Sequence, residues 1–359
     1  MSSSPVSAVP VPLPASVAPT VIPVQNTLAQ HARAFVLGAL AACGAVTFTN
    51  PWEVVKTRLQ LQGELESKAK LAASTSTTPL PTRPHPYNNA FSGLLTIFRN
   101  EGIRGVQKGL GPAYAYQILL NGTRLGAYEP MREGCIDGLR SLTGSGREGV
   151  LFPGMVLAGA TSGILGALIG SPVFLIKTRM QSYTAATAAV GHQHSYVTKG
   201  TFPALAHIYR NEGLRGLWRG ADAAMLRAGV GSAVQLTGYD STKGLLLKSG
   251  WFEEHDGQGD VRVHFAASLV TSFFVCLAMN PFDVASTRMY NQKATADGKQ
   301  GTLYKNGLDC IMKTVRSEGP AALYKGFTAA YLRIGPHTVL MFVFLEQLKK
   351  LARWADTNV

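Results

Sequence analysis

Charge is the scarcest property of this chain. Charged residues make up only 15% of its 359 residues, whereas hydrophobic residues make up 46%. Acids are the rarer sign, since none precedes Glu53 and the formal net charge is +13. A chain this apolar is untypical of soluble proteins of its size. The basic excess suits nucleic acid, anionic lipid or an anionic solute, but basic runs and alternating aromatic and basic residues are missing, which argues against nucleic acid.

Cysteine is scarce as well. The four cysteines lie far apart, without paired spacing, and they are Cys43, Cys135, Cys276 and Cys310. Neither a disulfide framework nor a metal site follows from them, and free thiols are expected. The sequence also lacks a phosphate loop, a nucleophile elbow, histidines at metal-ligand spacing and paired carboxylates. We therefore predict neither an enzyme nor a bound metal, and no catalytic residue.

The N-terminal segment lacks the features of a transit peptide. Residues 1–30 are rich in Pro, Ser, Ala and Val, and Arg33 is the only basic residue before Lys56. Because an arginine-rich amphipathic helix is missing, a disordered tail is predicted over 1–30. Residues 62–86, rich in Ser, Thr, Ala and Pro, indicate an enlarged loop, and a short C-terminal tail is predicted over 353–359.

What the chain does contain is a long repeat. A proline-led charge motif begins at Pro51, Pro172 and Pro281, each time followed by an acidic-glycine turn and then by a base and a glycine. The prolines lie 121 and 109 residues apart. The unit of roughly 100 residues is far longer than a solenoid repeat. Unrelated helix-end prolines would not explain why the spaced turn recurs too. The predicted repeats are 31–140, 150–250 and 260–352.

Each repeat contains two segments able to cross a membrane. Three segments, about 33–58, 151–180 and 262–290, have the length and apolar character of membrane-spanning helices. Three more, about 110–135, 221–245 and 327–350, carry arginine and glutamine among apolar residues, and a hydropathy criterion is expected to miss them. Because ionisable groups are costly at membrane depth, these arginines are expected to face a wet cavity or a partner. Short polar helices are predicted near 89–100, 199–211 and 306–317, along one membrane surface.

The motif P-x-D/E-x-x-K/R-x-K/R, with a later turn ending in aromatic-K/R-G, resembles the pattern of the mitochondrial carrier family over about residues 33–350. The resemblance implies an all-α membrane protein with six transmembrane helices, in three tandem two-helix repeats with threefold pseudosymmetry and short matrix helices. It also implies a multi-pass protein of the mitochondrial inner membrane that transports a small anionic substrate and functions as a monomer. No cofactor is expected beyond cardiolipin as a structural lipid.

In this family, the acid of one odd-numbered helix pairs with the base of the next and closes the matrix side. Carried over to this chain, Glu53 pairs with Lys177, and Asp283 pairs with Lys56. The motif proline is expected to interrupt the helical hydrogen bonds and to let the charged turn bend inward. Solvent-exposed pairs would contribute only about 0–1 kcal/mol each, so modest substrate binding energy would open such a gate.

One sector of this matrix gate departs from the family pattern. Phe174 stands where an acid is expected and Ser286 where a base is expected. Both members of one predicted pair are therefore replaced, and no charge is left without a partner. Gln60 and Gln181 stand where a glutamine of the family braces the pairs. Tyr290 replaces this glutamine in the third repeat.

The even-numbered helices contain a second set of charges, in copies of the motif F/Y-D/E-x-x-K/R. The resemblance implies a cytoplasmic gate, in which all three acid-base pairs can form. Solvated helix ends with charges three residues apart are the alternative, but three copies at equivalent positions argue against it. The predicted pairs are Glu129 with Lys243, Asp240 with Lys349, and Glu346 with Arg132.

Thirteen residues before each acid of this second set lie Tyr116, Arg227 and Arg333, which match the substrate contact points of the family. Guanidinium groups fit carboxylates with paired donors, and Gln117 can donate another hydrogen bond. The combination resembles dicarboxylate and oxaloacetate carriers, and oxaloacetate, malonate, malate or sulfate-like dianions are expected. His337 lies one turn from Arg333 and is either a pH sensor or a packed side chain.

The glycine turns before the even-numbered helices resemble the cardiolipin-binding turns of the family, because a helix start next to a base attracts phosphate. Ordinary helix-start turns are the alternative. The expected lipid-binding residues are Lys108, Gly109, Trp218, Arg219, Gly220, Tyr324, Lys325 and Gly326. Two other functions stay open at this point, a proton-leak or uncoupling-type carrier and a transport-dead relative that acts as an interaction protein.

Overall fold

The computed structural model describes residues 24–65, 87–144, 146–184, 190–248, 261–295 and 301–357. Within these ranges the chain folds into α-helices, two short 3₁₀ turns and a single isolated β-bridge. The helices form three sets of three. They are α1 Val24–Leu61, α2 Ala90–Val106 and α3 Leu110–Thr143; α4 Arg147–Ser182, α5 Thr201–Leu217 and α6 Ala221–Lys248; α7 Val261–Asn291, α8 Gly307–Glu318 and α9 Phe327–Thr357.

The six long helices form a closed ring. Along the ring, α1 packs on α3, α3 on α4, α4 on α6, α6 on α7, α7 on α9, and α9 on α1 again. Counted among the six long helices alone, α1, α4 and α7 are the odd-numbered helices and α3, α6 and α9 the even-numbered ones. The odd-numbered helices also contact one another, while the short helices α2, α5 and α8 each pack on the long helix that precedes them. The chain therefore has threefold pseudosymmetry, as predicted. In line with the resemblance to the carrier family, the end of the bundle that bears the proline motifs is named the matrix end.

Two predicted boundaries are wrong. The helix α1 begins at Val24, directly after Pro23, so residues 24–30 are helical rather than part of the predicted tail. Similarly, α9 continues to Thr357, because no proline or glycine follows Pro336 to end it. Residues 1–23 and most of the predicted 62–86 loop lie outside the described residues.

Four helical segments of the described chain are long and apolar enough to cross a membrane. They cover 35–61, 148–182, 266–291 and 320–354. The first three are the openly apolar segments predicted above. The fourth covers most of α9, so the expectation that a hydropathy criterion would miss this helix is wrong, because its run of apolar residues outweighs Arg333.

The long helices continue through the motif prolines, and at Pro51 and Pro172 a polar side chain compensates for the hydrogen bond that the proline removes. Proline at position i cannot donate to the carbonyl at i−4, which here is that of Thr47 or Leu168. Gln107 Nε2 donates to the Thr47 carbonyl at 2.9 Å, and Trp218 Nε1 donates to the Leu168 carbonyl at 2.9 Å. Both donors precede an even-numbered helix, so this contact also fixes where that helix starts.

Each even-numbered helix begins after a glycine that touches a neighbouring odd-numbered helix. Gly109 and Gly326 have φ of 73° and 77°, in the left-handed region that favours glycine. A Cβ on Gly109 would lie 3.2 Å from the carbonyl oxygen of Lys177, and one on Gly326 would lie 3.2 Å from that of Lys56. The glycine of the aromatic-K/R-G turn is thus required for two reasons, the positive φ at this position and the tight contact with a neighbouring helix.

A buried ion cluster joins the helices of each repeat at the matrix end. Arg58, the last base of the first motif, pairs with Glu101 of the acidic-glycine turn, and Lys108 pairs with the same carboxylate. Burial alone would raise the pKa of Glu101, but hydrogen bonds from Arg58 and Lys108 outweigh it and lower this pKa to about 2. The equivalent clusters are Arg179, Glu212 and Arg219 in the second repeat, and Arg288, Glu318 and Lys325 in the third.

These clusters also connect one repeat to the next. Arg58 Nε donates to the carbonyl of Gln181 at 3.1 Å, and Arg179 Nε donates to that of Tyr290 at 2.9 Å. Arg288 Nε closes the ring by donating to the carbonyl of Gln60 at 3.1 Å. The acidic-glycine turn of the sequence is therefore the acceptor of a three-residue ion cluster, which explains why the turn recurs with the motif.

Candidate functional site

At the matrix end, the structure brings together the two acid-base pairs that the sequence indicates. Lys177 Nζ lies 2.6 Å from Glu53 Oε1, and Lys56 is in contact with Asp283. Their side chains are less than a tenth exposed. The expectation of solvent-exposed, weak pairs is therefore wrong, since the odd-numbered helices converge here and exclude solvent.

The two glutamines that follow the motifs have different partners. Gln60 Nε2 donates to Asp283 Oδ2 at 3.2 Å, and so braces the Lys56–Asp283 pair directly. Gln181 Nε2 donates instead to Asn50 Oδ1 at 3.2 Å, and its oxygen accepts from Thr57. Both glutamines are fully buried, and both link neighbouring odd-numbered helices.

The two arginines assigned to the substrate lie directly beside these pairs. Arg227 Nε is 3.8 Å from Asp283 Oδ1, and Arg333 Nη1 is 4.0 Å from Glu53 Oε1. Both distances are too long for hydrogen bonds. In each arginine the buried Nε–H has no hydrogen-bond acceptor among the described residues. These two donors remain available to an anion.

Tyr116 joins this cluster from α3. Arg227 Nη2 donates to the Tyr116 hydroxyl at 3.3 Å, and this leaves the hydroxyl proton available. The tyrosine ring lies against α4 at Gly170, where an added Cβ would be 2.8 Å from ring atom Cε2. The small residue of α4 therefore allows the close approach that places Tyr116 beside Arg227.

Gln117 is held in a chain of hydrogen bonds with His337. The Gln117 amide nitrogen lies 3.3 Å from His337 Nε2, and it can only donate, so Nε2 is the acceptor. The imidazole proton is then on Nδ1, which lies 3.4 Å from Thr49 Oγ1, and Thr49 donates onward to the Ala45 carbonyl. Of the two interpretations of His337, this chain favours a packed, neutral side chain that orients Gln117.

The cluster as a whole has an excess of positive charge. Six ionised side chains form two groups of three, and in each group two cations lie within 4.0 Å of one carboxylate. The cations are Lys56, Lys177, Arg227 and Arg333, and the carboxylates are Glu53 and Asp283. An excess of two positive charges in a partly buried site favours a divalent anion.

At the opposite end, the described side chains do not form the predicted ion pairs between even-numbered helices. Arg132 pairs with Glu129 at 3.3 Å and with Glu133 at 2.9 Å, all on α3. Glu346 pairs with Lys350, one turn away on α9. The carboxylates of Glu129 and Glu346 are 64% and 65% exposed, so this end is open to solvent.

The partners assigned to these groups are in the same open region. Lys243 is half-buried on α6 and Lys349 is exposed on α9, while the Asp240 side chain lies outside the described part. The predicted Glu346–Arg132 and Glu129–Lys243 pairs are therefore not formed here. Both acids find bases within their own helices or face solvent, and a cross-helix gate at this end stays a prediction for another conformation.

The bases assigned to lipid are already paired with acids. Lys325 Nζ lies 2.5 Å from Glu318 Oε2, and Arg219 Nη1 lies 2.7 Å from Glu212 Oε2. Arg219 is almost fully buried, whereas the rings of Trp218 and Tyr324 are about 40% exposed. Lipid binding by the basic side chains is therefore less favourable than the sequence indicates, because a phosphate would compete with a carboxylate.

Comparison with known proteins decides the family. A family model described as mitochondrial carrier protein matches residues 29–138, 150–250 and 258–355. The chain belongs to the mitochondrial carrier family. The predicted family and the three-repeat all-α architecture are thereby confirmed, and the carrier is a mitochondrial inner-membrane transporter rather than an enzyme.

Similar proteins include several carriers named by their substrate. The mitochondrial oxaloacetate transport protein of Saccharomyces cerevisiae is 46% identical over 328 residues, 90% of this chain and 91% of the relative. Mitochondrial citrate transporter E of Aspergillus niger is 45% identical over 320 residues, 89% and 93% of the two chains. Solute carrier family 25 member 35 of Homo sapiens is 42% identical over 327 residues, 90% and 99% of the two chains.

Sequence reasoning missed two features of this carrier. One is the role of Gln107 and Trp218 as donors to the carbonyls freed by proline, for which their shared position before the K/R-G turn was the available signal. The other is the pairing of the turn base with the turn acid. The acid and base stand seven residues apart in all three repeats, which could have indicated an ion pair.

Proposed function

We propose that this carrier transports small dianions, such as oxaloacetate, malonate, malate or sulfate, bound between Arg227 and Arg333. The observation that carries the proposal is the charge balance, in which four cations face only two carboxylates. A divalent substrate neutralises this excess. The unused Nε–H donors of both arginines supply hydrogen bonds to its two anionic groups.

The relatives support a carboxylate substrate, since the yeast and Aspergillus proteins are named for oxaloacetate and citrate. The charge excess favours a dianion over the fully ionised trianion of citrate. Tyr116 and Gln117 flank the arginines with neutral hydrogen-bonding groups that suit a carbonyl or hydroxyl oxygen. These two residues are expected to distinguish between dianions rather than to bind charge.

The proposed mechanism is alternating access, in which substrate competes with the matrix gate for the arginines. Arg333 and Arg227 lie within 4.0 Å of Glu53 and Asp283, the acids of the two matrix pairs. A carboxylate that draws an arginine away removes part of the attraction that holds these acids. Substrate thereby favours the state in which the matrix pairs separate, and the second set of charges closes the opposite end.

The test is uptake of labelled anions by proteoliposomes that contain wild-type, Arg227→Ala, Arg333→Ala or Gln117→Ala carrier. Loss of one arginine from a partly dehydrated site is expected to cost about 2–5 kcal/mol, well over tenfold in uptake. Arg333→Lys is the matched control, since it keeps the charge without the forked donors and should fall between wild type and Arg333→Ala. Gln117→Ala should cost about 0.5–1.5 kcal/mol and change the preference among anions.

Four outcomes contradict the proposal. Robust dicarboxylate uptake by Arg227→Ala or Arg333→Ala contradicts the proposed substrate site. If the wild type transports nucleotides or cationic amino acids but no dicarboxylates, the proposed substrate class is wrong. Proton conductance without anion uptake favours an uncoupling-type carrier, and absence of any flux favours an interaction protein.

We also propose cardiolipin as a structural lipid, which the carrier binds as a monomer. The support is the set of helix starts after Gly109, Gly220 and Gly326, where the backbone amides of a first helical turn attract phosphate. Because Lys325 is paired with Glu318, the backbone amides are expected to contribute more to phosphate binding than the lysine does. Added cardiolipin should raise the unfolding temperature in detergent, and Lys325→Gln should keep most of this shift; an unchanged wild-type temperature contradicts the proposal.

A further inference from the structure

The sector between α4 and α7, which lacks an acid-base pair, is filled by aromatic rings. Phe174 is buried, and its ring centroid lies 4.9 Å from that of Tyr116 and 5.3 Å from that of Tyr290. These two tyrosines come from α3 and α7, so Phe174 of α4 connects three long helices. Such centroid distances are those of favourable aromatic pairs.

Two cations of the site lie against the same phenylalanine ring. Lys177 Nζ is 5.2 Å and Arg227 Cζ is 5.4 Å from the ring centroid of Phe174. Lys177 is also 5.6 Å from the centroid of Tyr116. All three distances are within the range of about 6 Å over which a cation is attracted by an aromatic face. Phe174 therefore contacts one cation of the matrix gate and one of the substrate site.

The hydroxyl groups of this sector are satisfied without a charge. Ser286 Oγ donates to the Asp283 carbonyl at 3.0 Å, and the hydroxyls of Tyr290 and Ser171 are 2.9 Å apart. An acid at position 174 is thus not needed to satisfy these hydroxyls. It would also cancel one of the two excess positive charges on which the proposed dianion site depends.

We propose that Phe174 is the third, uncharged closing element of the matrix gate, and that it acts by holding Lys177 and Arg227 through their cationic groups. This inference rests on the proposed function for the role of Arg227. Without substrate, the ring retains both cations and the sector stays closed. A bound dianion takes Arg227 from the ring, and the sector opens without exposing a buried carboxylate.

The test measures access to the gate, not transport. Ser286→Cys places a thiol at a fully buried position of this sector, and labelling by an impermeant maleimide is followed from the matrix-facing side of inverted membrane vesicles. Adding Phe174→Leu keeps an apolar side chain but removes the aromatic face, and labelling should accelerate by about 2- to 30-fold, the equivalent of a cation–π contact. Adding Phe174→Tyr keeps the aromatic face and should leave labelling at the rate of Ser286→Cys alone.

Equal labelling of the leucine and tyrosine variants overturns the proposal. If Phe174→Leu does not accumulate, Phe174→Met makes the same comparison with a longer apolar side chain. Labelling of the four native cysteines is subtracted with variants that retain Ser286. Because labelling needs no substrate, its result stands apart from the uptake assay. Accelerated labelling together with failed dianion uptake would reject the proposed substrate and keep the role of Phe174.

Discussion

At the residue scale, the departures of this carrier from the family pattern have identifiable physical reasons. Gln107 replaces the aromatic residue of the turn, yet it supplies the same function as Trp218, an N–H for the carbonyl that a proline leaves unpaired. In a membrane such a carbonyl has no water to bond, so the donor matters more than the ring. Glutamine is therefore an acceptable substitute where an aromatic residue is expected.

The donor role of the Trp218 indole predicts the outcome of replacing this residue. Trp218→Phe keeps most of the ring but leaves the Leu168 carbonyl unpaired, at an expected cost of about 1–3 kcal/mol in the free energy of unfolding. Trp218→Gln copies the first repeat and should be more stable than Trp218→Phe, although it loses more apolar surface. Thermal unfolding in detergent compares the two variants. A phenylalanine variant at least as stable as the glutamine variant would show that burial of the ring, and not its donor, is what counts.

At the scale of the helices, periodic features were predictable and pairing partners were only partly so. The six spans and three short helices follow from apolar runs and from the repeated turn, and each observed helix overlaps its predicted segment. The ends were predicted less well, because Val24 and Thr357 lie in segments without a strong stop signal. The aromatic filling around Phe174 was not predictable, since it joins three helices that are distant in sequence.

The charge motifs illustrate the same limit. Glu53 and Lys177 are found together, whereas Glu346 and Arg132 are not, although the sequence supports both pairs equally. A sequence specifies which groups are complementary, but a transporter has at least two conformations, and one structure shows the pairs of one of them. The second set of pairs could therefore not be assigned to this conformation from the sequence alone.

At the scale of the whole molecule, the gate residues at the two ends differ in burial. Glu53 and Asp283 of the matrix pairs are less than a tenth exposed, whereas Glu129 and Glu346 at the other end are nearly two-thirds exposed. Removing one partner of a buried pair leaves an uncompensated charge, whereas exposed pairs contribute little to the free energy of unfolding. The matrix pairs are thus expected to determine which conformation is populated without substrate.

A double-mutant cycle at the matrix end tests this expectation. Glu53→Gln removes the acid that Lys177 and Arg333 face, and is expected to lower the free energy of unfolding by about 3–5 kcal/mol. Lys177→Met alone should also destabilise the carrier, because it strands Glu53. The double variant should lose clearly less than the two single losses added, since no pair partner remains unmatched. Thermal unfolding in detergent measures all three.

The matched control is the exposed pair on α9, where Glu346→Gln, Lys350→Met and their combination should each change the free energy of unfolding by no more than about 1 kcal/mol. A coupling of several kcal/mol at the matrix pair and almost none on α9 would show that the buried pair, and not the exposed one, holds the gate closed. Additive losses for Glu53→Gln and Lys177→Met would mean that the two side chains are neighbours without being a gate. In that case the closed state would depend on the packing of the odd-numbered helices alone.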